Sequence, residues 1–417
     1  MSTTTHQPVT IGEPVVVLVD PVLNGRPFKD ACAELGYPVV GVYTIAPASL
    51  NRMSADHADG DAATLYGSEP IALAGRLDSL APKVHAIIPA TEPAVHSAAV
   101  LADTRAVPGN PLGTARARRD KRAMRGLAAA RGVPVPRYEV VRDLSRLPEA
   151  AARIGLPLIV KPATGAGSHN VFLVTDTGRL SAVAGADPCD LFGNPIDEWL
   201  VEEYVRGTEY AINTFSHDGR HTILDVWEYR LPGTGDYDNP YWDFVQAEPD
   251  PAIEKFALSV LDAFEIRLGP CHIEVKTGER GPALIEIGAR LPGAGIPRLW
   301  ERHSTFRPYH DTLAVYLGRE PAIATAPPRF AARLGMSFIR NDGPPGILCR
   351  LAGLDEARRL PGVDTVFQQA QVGDLVPTTR DLGTELVKVH LTAPDGPALT
   401  RLIARVRELI TVDIEHE

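Results

Sequence analysis

The chain has 417 residues, a formal charge of −10 and a pI near 5.7. That balance excludes a main role on nucleic acid, whose binders carry a basic excess on one face, and the length suits about two to four domains or subdomains. Cys32, Cys189, Cys271 and Cys349 are scattered without a CxxC, and the twelve histidines form no HExxH pair. Neither a thiolate zinc site nor a zinc hydrolase is expected, and the cysteine usage fits a reducing cytoplasm. No basic-then-apolar leader opens the chain and no apolar run approaches the roughly 20 residues of a membrane span, so no membrane partner is expected.

After a polar tail over residues 1–12, PVVVLVD reads as a buried strand over 14–20. A helix is expected over 28–35, then strands over 39–45 and 84–90. Strands separated by helix-length segments predict a parallel, doubly wound sheet. No GxGxxG follows the first strand, so a dinucleotide is unsupported. PGNPLG over 108–113 breaks the pattern, and a helix is expected over 114–131. It contains the only basic cluster, ARARRDKRAMR, which composition alone reads as a solvated face.

A smaller α/β unit follows. IVKPATGAGSHNV reads as strand, Gly-rich turn, strand, with Ile159 and Val160 incoming and Val171, Phe172 and Val174 outgoing. Gly165, Gly167 and Ser168 let backbone come close to a bulky group, and the exposed N–H groups of such a turn suit phosphate oxygens. Strand, connector and strand are expected over 197–219, and another strand over 221–230. LPGTGDYDNPYWDFVQ, 231–246, reads as a lid or binding loop, equally as a plain surface excursion, with Tyr241, Trp242 and Asp243 as candidates to shape an acceptor pocket. HIEVKTGERGPALIEIGAR puts Glu274 and Glu286 on two strands, where alternation aims each carboxylate opposite its apolar neighbours. Two such carboxylates suit Mg²⁺, which takes oxygen ligands and substrate phosphates. A helix over 310–317, a linker over 319–329 and a small α+β closing unit from 330, ending in a helix over 397–409, complete the chain.

With these residues in order, the chain resembles the ATP-grasp superfamily, and within it the bacterial L-amino acid ligases. The resemblance rests on TEPAVHSAAVLADTRAVPGN, ARARRDKRAMRGLAAARGVPVP, VKP, VEEYVRGTE, EIGAR and the C-terminal PGV…GDLV. It implies an ATP-grasp fold, α/β and α+β in several domains: an N-terminal parallel-sheet domain over 12–112, a small ATP-grasp subdomain over 113–204, a large one over 205–325 and a C-terminal α+β domain over 330–417. It also implies roles. Lys121 and Lys161 grip the nucleotide phosphates under the Gly165–Gly167–Ser168 turn. Glu202 accepts from the adenine amino group, the backbone of Glu203, Tyr204 and Val205 meets the ring edge, and Glu209 binds ribose. Glu274 and Glu286 hold Mg²⁺, with Mn²⁺ as the alternative ion. Arg290 binds the substrate carboxylate or its acyl phosphate, acting with Lys161 in catalysis; its planar fork fits either group.

The implied reaction joins a carboxylate, such as an amino acid, to an amine, such as a second amino acid, through an acyl phosphate, with release of ADP and phosphate. Two departures stand out. Gly288 occupies the position, two residues after the second metal Glu, where many relatives carry Asn, which puts a second metal ion in doubt. His169 stands where small residues are common, facing solvent or a phosphate. Alternatives are a carboxylating or purine-pathway ATP-grasp ligase and, in another class, a non-catalytic nucleotide-binding protein. A homodimer is left open as the assembly.

Overall fold

The computed structural model describes residues 11–230, 242–248 and 250–416. The N-terminal sheet is parallel, in the order Ala63–Tyr66, Val39–Tyr43, Val15–Val19, Val84–Pro89. Its central strand, VVVLV, is buried throughout, as a strand covered on both faces must be. Val15, Val17 and Val19 join one core with Leu73, Leu77 and Leu101. Val16 and Leu18 join another with Phe28 and Ala31. Helices on both faces are the doubly wound arrangement the spacing predicts. The strand Ala63–Tyr66 was not visible in the sequence because only Leu65 along it is buried.

The expected helix over 114–131 is shorter. Two single turns, Leu112–Thr114 and Arg116–Arg118, precede a helix that starts at Lys121 and ends at Ala130. Asp120 sets that start: its side chain accepts from the Ala123 N–H at 3.0 Å, capping the helix. The basic cluster is a solvated face only in part: Arg116 and Arg122 are exposed, the others are not. Arg118 is 1 %, Arg125 0 % and Lys121 4 % exposed.

A four-stranded antiparallel sheet follows, in the order Tyr138–Val141, Trp199–Glu203, Leu158–Pro162, Phe172–Val174. Phe192, on a loop beyond it, packs into an apolar cluster with Val22, Tyr43, Ile45 and Leu50 of the N-terminal unit. Phe192 thereby docks the small unit against the N-terminal one, and the cavity described below is lined from both of these and from the largest sheet.

The largest sheet has eight strands, in the order Gly281–Gly288, Gly269–Gly278, Thr208–His217, Arg220–Arg230, Asp243–Gln246, Arg333–Ile339, Val387–Ala393, Val363–Gln368. It runs through the segments expected to divide near 325–330, so the C-terminal unit shares its sheet with the one before it. A three-stranded sheet of Leu375–Val376, Gly346–Ala352 and Thr411–Glu415 and the helix Gly396–Leu409 complete that unit. Most of the expected loop 231–246 lies outside the described residues, and its last four residues form a strand instead.

Candidate active site

Lys161 lies one residue before the end of the strand Leu158–Pro162, at 6 % exposure. Its ammonium lies 2.7 Å from Glu202 Oε2, and Glu202 Oε1 accepts from Arg125 Nε at 2.7 Å. Arg125 also donates to the Ile285 carbonyl at 2.9 Å. Burial pushes the Glu202 carboxyl up, but Arg125 and Lys161 prevail and hold it at about 2. Burial lowers the Lys161 ammonium against the attraction of Glu202. Both Glu202 oxygens are therefore engaged by cations.

Lys121, the first residue of its helix, donates to the Gly165 carbonyl at 2.8 Å and to Glu286 Oε1 at 3.0 Å. Arg119 donates to the carbonyls of Thr164 and Gly165. The turn's carbonyls are thus drawn down onto basic residues. Gly167 has φ +62, where a side chain is strained. Beyond it, His169 is partly exposed and stands on the cavity wall. Its Nδ1 lies 3.1 Å from Asp381 Oδ2 in the C-terminal unit, and the Leu382 N–H donates to the Gly167 carbonyl at 3.2 Å. Hydrogen bonding to Asp381 raises the His169 imidazole above its ordinary value.

At the connector, the Glu203 N–H donates to the Arg137 carbonyl and the Tyr204 N–H to the Pro157 carbonyl. Neither bond uses the Glu203 carbonyl or the Val205 N–H, the pair that could meet an adenine edge. The Glu203 side chain turns outward to Arg137 and Arg280. Glu209 lies 3.3 Å from the Lys276 ammonium, which sits 4.8 Å from the Tyr204 ring centre.

Glu274 and Glu286 are direct partners in the antiparallel pairing of their strands. The simple alternation breaks beside them. A bulge between Glu274 and Val275 pairs Val275 with Leu284, and Ile285 is half-buried while Ile273, Val275 and Ile287 are fully buried. Burial raises the Glu286 carboxyl, but Lys121, Lys161 and Arg119 bring it below its usual range. Two opposed carboxylates with side chains 18 % and 20 % exposed offer the oxygen donors a hard cation takes. Arg290 donates from Nε to Glu92 Oε2 at 2.6 Å and from its fork to the Leu291 carbonyl at 2.9 Å. Gly288 has a steric reason: a Cβ there would stand 2.7 Å from Glu92 Oε2.

All of Lys121, Lys161, Gly165, Gly167, Ser168, Glu202, Glu203, Tyr204, Val205, Glu209, Glu274, Glu286 and Arg290 line one cavity of about 290 Å³. Sequence reasoning missed Glu92, Lys276 and His272 on its wall, and the stacked rings of Tyr229 and Phe244, 4.1 Å apart. Trp242 and Asp243 do not reach it. The Arg407 guanidinium sits 4.1 Å from the Trp242 ring centre, and Asp243 accepts from Arg407 at 2.7 Å. Both therefore tie the large sheet to the C-terminal helix.

Residues 154–298 match the ATP-grasp domain family, and residues 343–415 match the L-amino acid ligase C-terminal domain 2. An L-arginine-specific L-amino acid ligase of Bacillus subtilis is 24 % identical over 77 % of this chain and 78 % of its own length. Dapdiamide A synthase of Enterobacter agglomerans is 26 % identical over 69 % of each chain. The solved L-amino acid ligase of Bacillus licheniformis superposes with a TM-score of 0.75 at 18 % identity, covering 98 % of this chain and all of that one. An ADP complex of an N5-carboxyaminoimidazole ribonucleotide synthetase superposes at 0.65 and 12 % identity, covering 96 % and 97 %. At these identities the superpositions establish the fold.

Proposed function

Since the chain belongs to the ATP-grasp superfamily and carries the C-terminal domain of L-amino acid ligases, we propose that it joins an amino acid carboxylate to the amine of a second amino acid, using ATP. The observation that carries this reading is the convergence of Lys121, Lys161, Glu274, Glu286 and Arg290 on one cavity. Lys121 and Lys161 present compact ammonium charges to the nucleotide phosphates. The Gly165–Ser168 turn covers them, and the Glu203 carbonyl, the Val205 N–H and Glu209 take the nucleoside. Glu274 and Glu286 would hold Mg²⁺, which would supply positive charge beside the transferring phosphoryl group. Arg290 holds the donor carboxylate in line with the γ-phosphate. Its attack gives an acyl phosphate and ADP, and the amine then displaces phosphate to form the amide. Catalysis in this scheme is positioning and electrostatics in a site closed to water. The same reading places the protein in the cytoplasm; no described helix is long and apolar enough to cross a membrane.

An ATP-dependent phosphate-release screen over amino acid pairs, read by mass spectrometry, tests this. ADP and phosphate should appear in step with amide. AMP and pyrophosphate would mean an adenylating enzyme and would end the proposal.

A further inference from the structure

Among the described residues, every carboxylate on the cavity wall except Glu274 is already paired with a lysine or arginine. Glu274 faces Glu286 and belongs to the cation platform. The lysines of the wall, Lys121, Lys161 and Lys276, are the other halves of these pairs. A charged side chain entering the cavity would find its opposite charges taken, and burying an unpaired charge is costly.

The wall offers apolar surface instead. Tyr229 and Phe244 are direct cross-strand partners with rings stacked 4.1 Å apart. Phe338 backs Phe244 edge-on at 4.9 Å, and Tyr229 Oη lies 3.4 Å from His272 Nε2. His272 is itself fixed, its Nδ1 2.7 Å from Asn213 Oδ1. The two rings are thus held from behind and from the side, as a rigid wall must be. Leu291 and Ile296 belong to the same apolar cluster and also line the cavity. Leu291 follows Arg290 directly, and its carbonyl accepts from the Arg290 fork at 2.9 Å. The apolar wall therefore begins beside the position proposed for the donor carboxylate. We propose that Tyr229 and Phe244, with Leu291 and Ile296, receive the side chain of the donor amino acid, and that this side chain is uncharged and bulky, aliphatic or aromatic. The inference rests on the ligase reading above and adds the class of donor side chain to it.

The test compares L-norleucine with L-lysine, and L-methionine with L-glutamate, as donors to one acceptor amino acid chosen from the phosphate-release screen. Lysine is norleucine with a terminal ammonium, so that pair isolates the charge. Tandem mass spectrometry reads which residue stands N-terminal in the product and so served as donor. Wild type should prefer norleucine and methionine by about 10²-fold or more in kcat/KM. Tyr229→Ala and Phe244→Leu should each lose about tenfold in kcat/KM for these two donors, through KM, while L-alanine changes less than about threefold. ADP affinity, by calorimetry, should hold in both variants. Wild type that takes lysine or glutamate as readily as the uncharged counterpart overturns the inference without any variant, so a misfolded variant does not shelter it. Wild type that takes alanine but not norleucine overturns it as well. An equal loss for alanine and norleucine in the variants would make the ring pair only a support of the sheet, and that too overturns it. Wild type that forms no amide from any pair in the screen defeats the ligase reading itself, and the inference with it.

Discussion

Glu274 and Glu286 face each other directly across two antiparallel strands, and only Glu286 is also bound by Lys121, at 3.0 Å. The pair is therefore asymmetric before any metal arrives. Glu286→Gln keeps size and removes the charge that both a cation and Lys121 meet. Amide formation should fall by at least about 10²-fold, the scale of losing electrostatic stabilisation at a reacting group. Glu274→Gln should be milder. His272 Nε2 lies 3.5 Å from it, and among the described residues no lysine bonds it. Steady-state turnover over a Mg²⁺ titration, with melting temperature as control, checks both. A folded Glu286→Gln enzyme with near wild-type turnover would remove Glu286 from the metal platform.

Glu202 sits between Arg125 and Lys161 with its side chain 3 % exposed, so Glu202→Gln strands two buried cations. Breaking such a group should destabilise the fold by about 3 kcal/mol or more. The pH dependence follows from the lowered carboxyl. Its stabilisation is complete above the unfolded value of about 4.3 and is lost as pH falls from there through about 2. The stability gap between wild type and variant, measured by urea unfolding, should be constant from pH 7 to 5 and narrow below 4. A gap unchanged at pH 3 would contradict this role.

Much of the site was legible because its residues sit in short motifs with local rules. The turn at Gly165–Ser168 and the two strands carrying Glu274 and Glu286 needed only their neighbours in the chain, although the bulge beside Glu274 left no such local sign. What escaped depends on contacts between distant segments. Glu92 and Arg290 are 198 residues apart, and no local pattern links them. Arg118 and Arg125 looked solvated because the sequence does not reveal that Phe264 and Ile285 offer them carbonyls across the interface. The aromatic run ending in Trp242 suggested a pocket wall, whereas Arg407 on the last helix claims it. The helix start at Lys121 was readable in principle, since Asp120 is a good cap, but the basic run around it masked the signal.

His169 and Asp381 tie the Gly-rich turn to the C-terminal unit. Asp381→Asn should loosen the turn, let water reach the acyl phosphate and raise ADP released per amide. The increase should be at most about fivefold, the population shift that about 1 kcal/mol permits. The imidazole is raised, so its stabilisation is full below about 6.5 and fades as pH rises through the folded value. Wild-type coupling should therefore worsen from pH 6 to pH 8.5, while the variant changes less. Identical ADP-to-amide ratios in both proteins across that range would show that the contact does not govern closure.

Arg290 separates a ligase from a nucleotide binder. It is held by Glu92 and the Leu291 carbonyl, and burial lowers its guanidinium while Glu92 and Glu286 raise it further, leaving it firmly charged. Arg290→Lys keeps the charge and loses the planar fork. If Arg290 holds the donor carboxylate, ATP affinity and melting temperature should stay near wild type while amide formation drops by about 10²-fold. If Arg290 merely ties the N-terminal unit to the large sheet through Glu92, melting temperature and ATP affinity should fall together with turnover. Calorimetry, thermal melting and turnover on the same preparation distinguish the two, and a parallel fall in all three would strip Arg290 of its part in the chemistry.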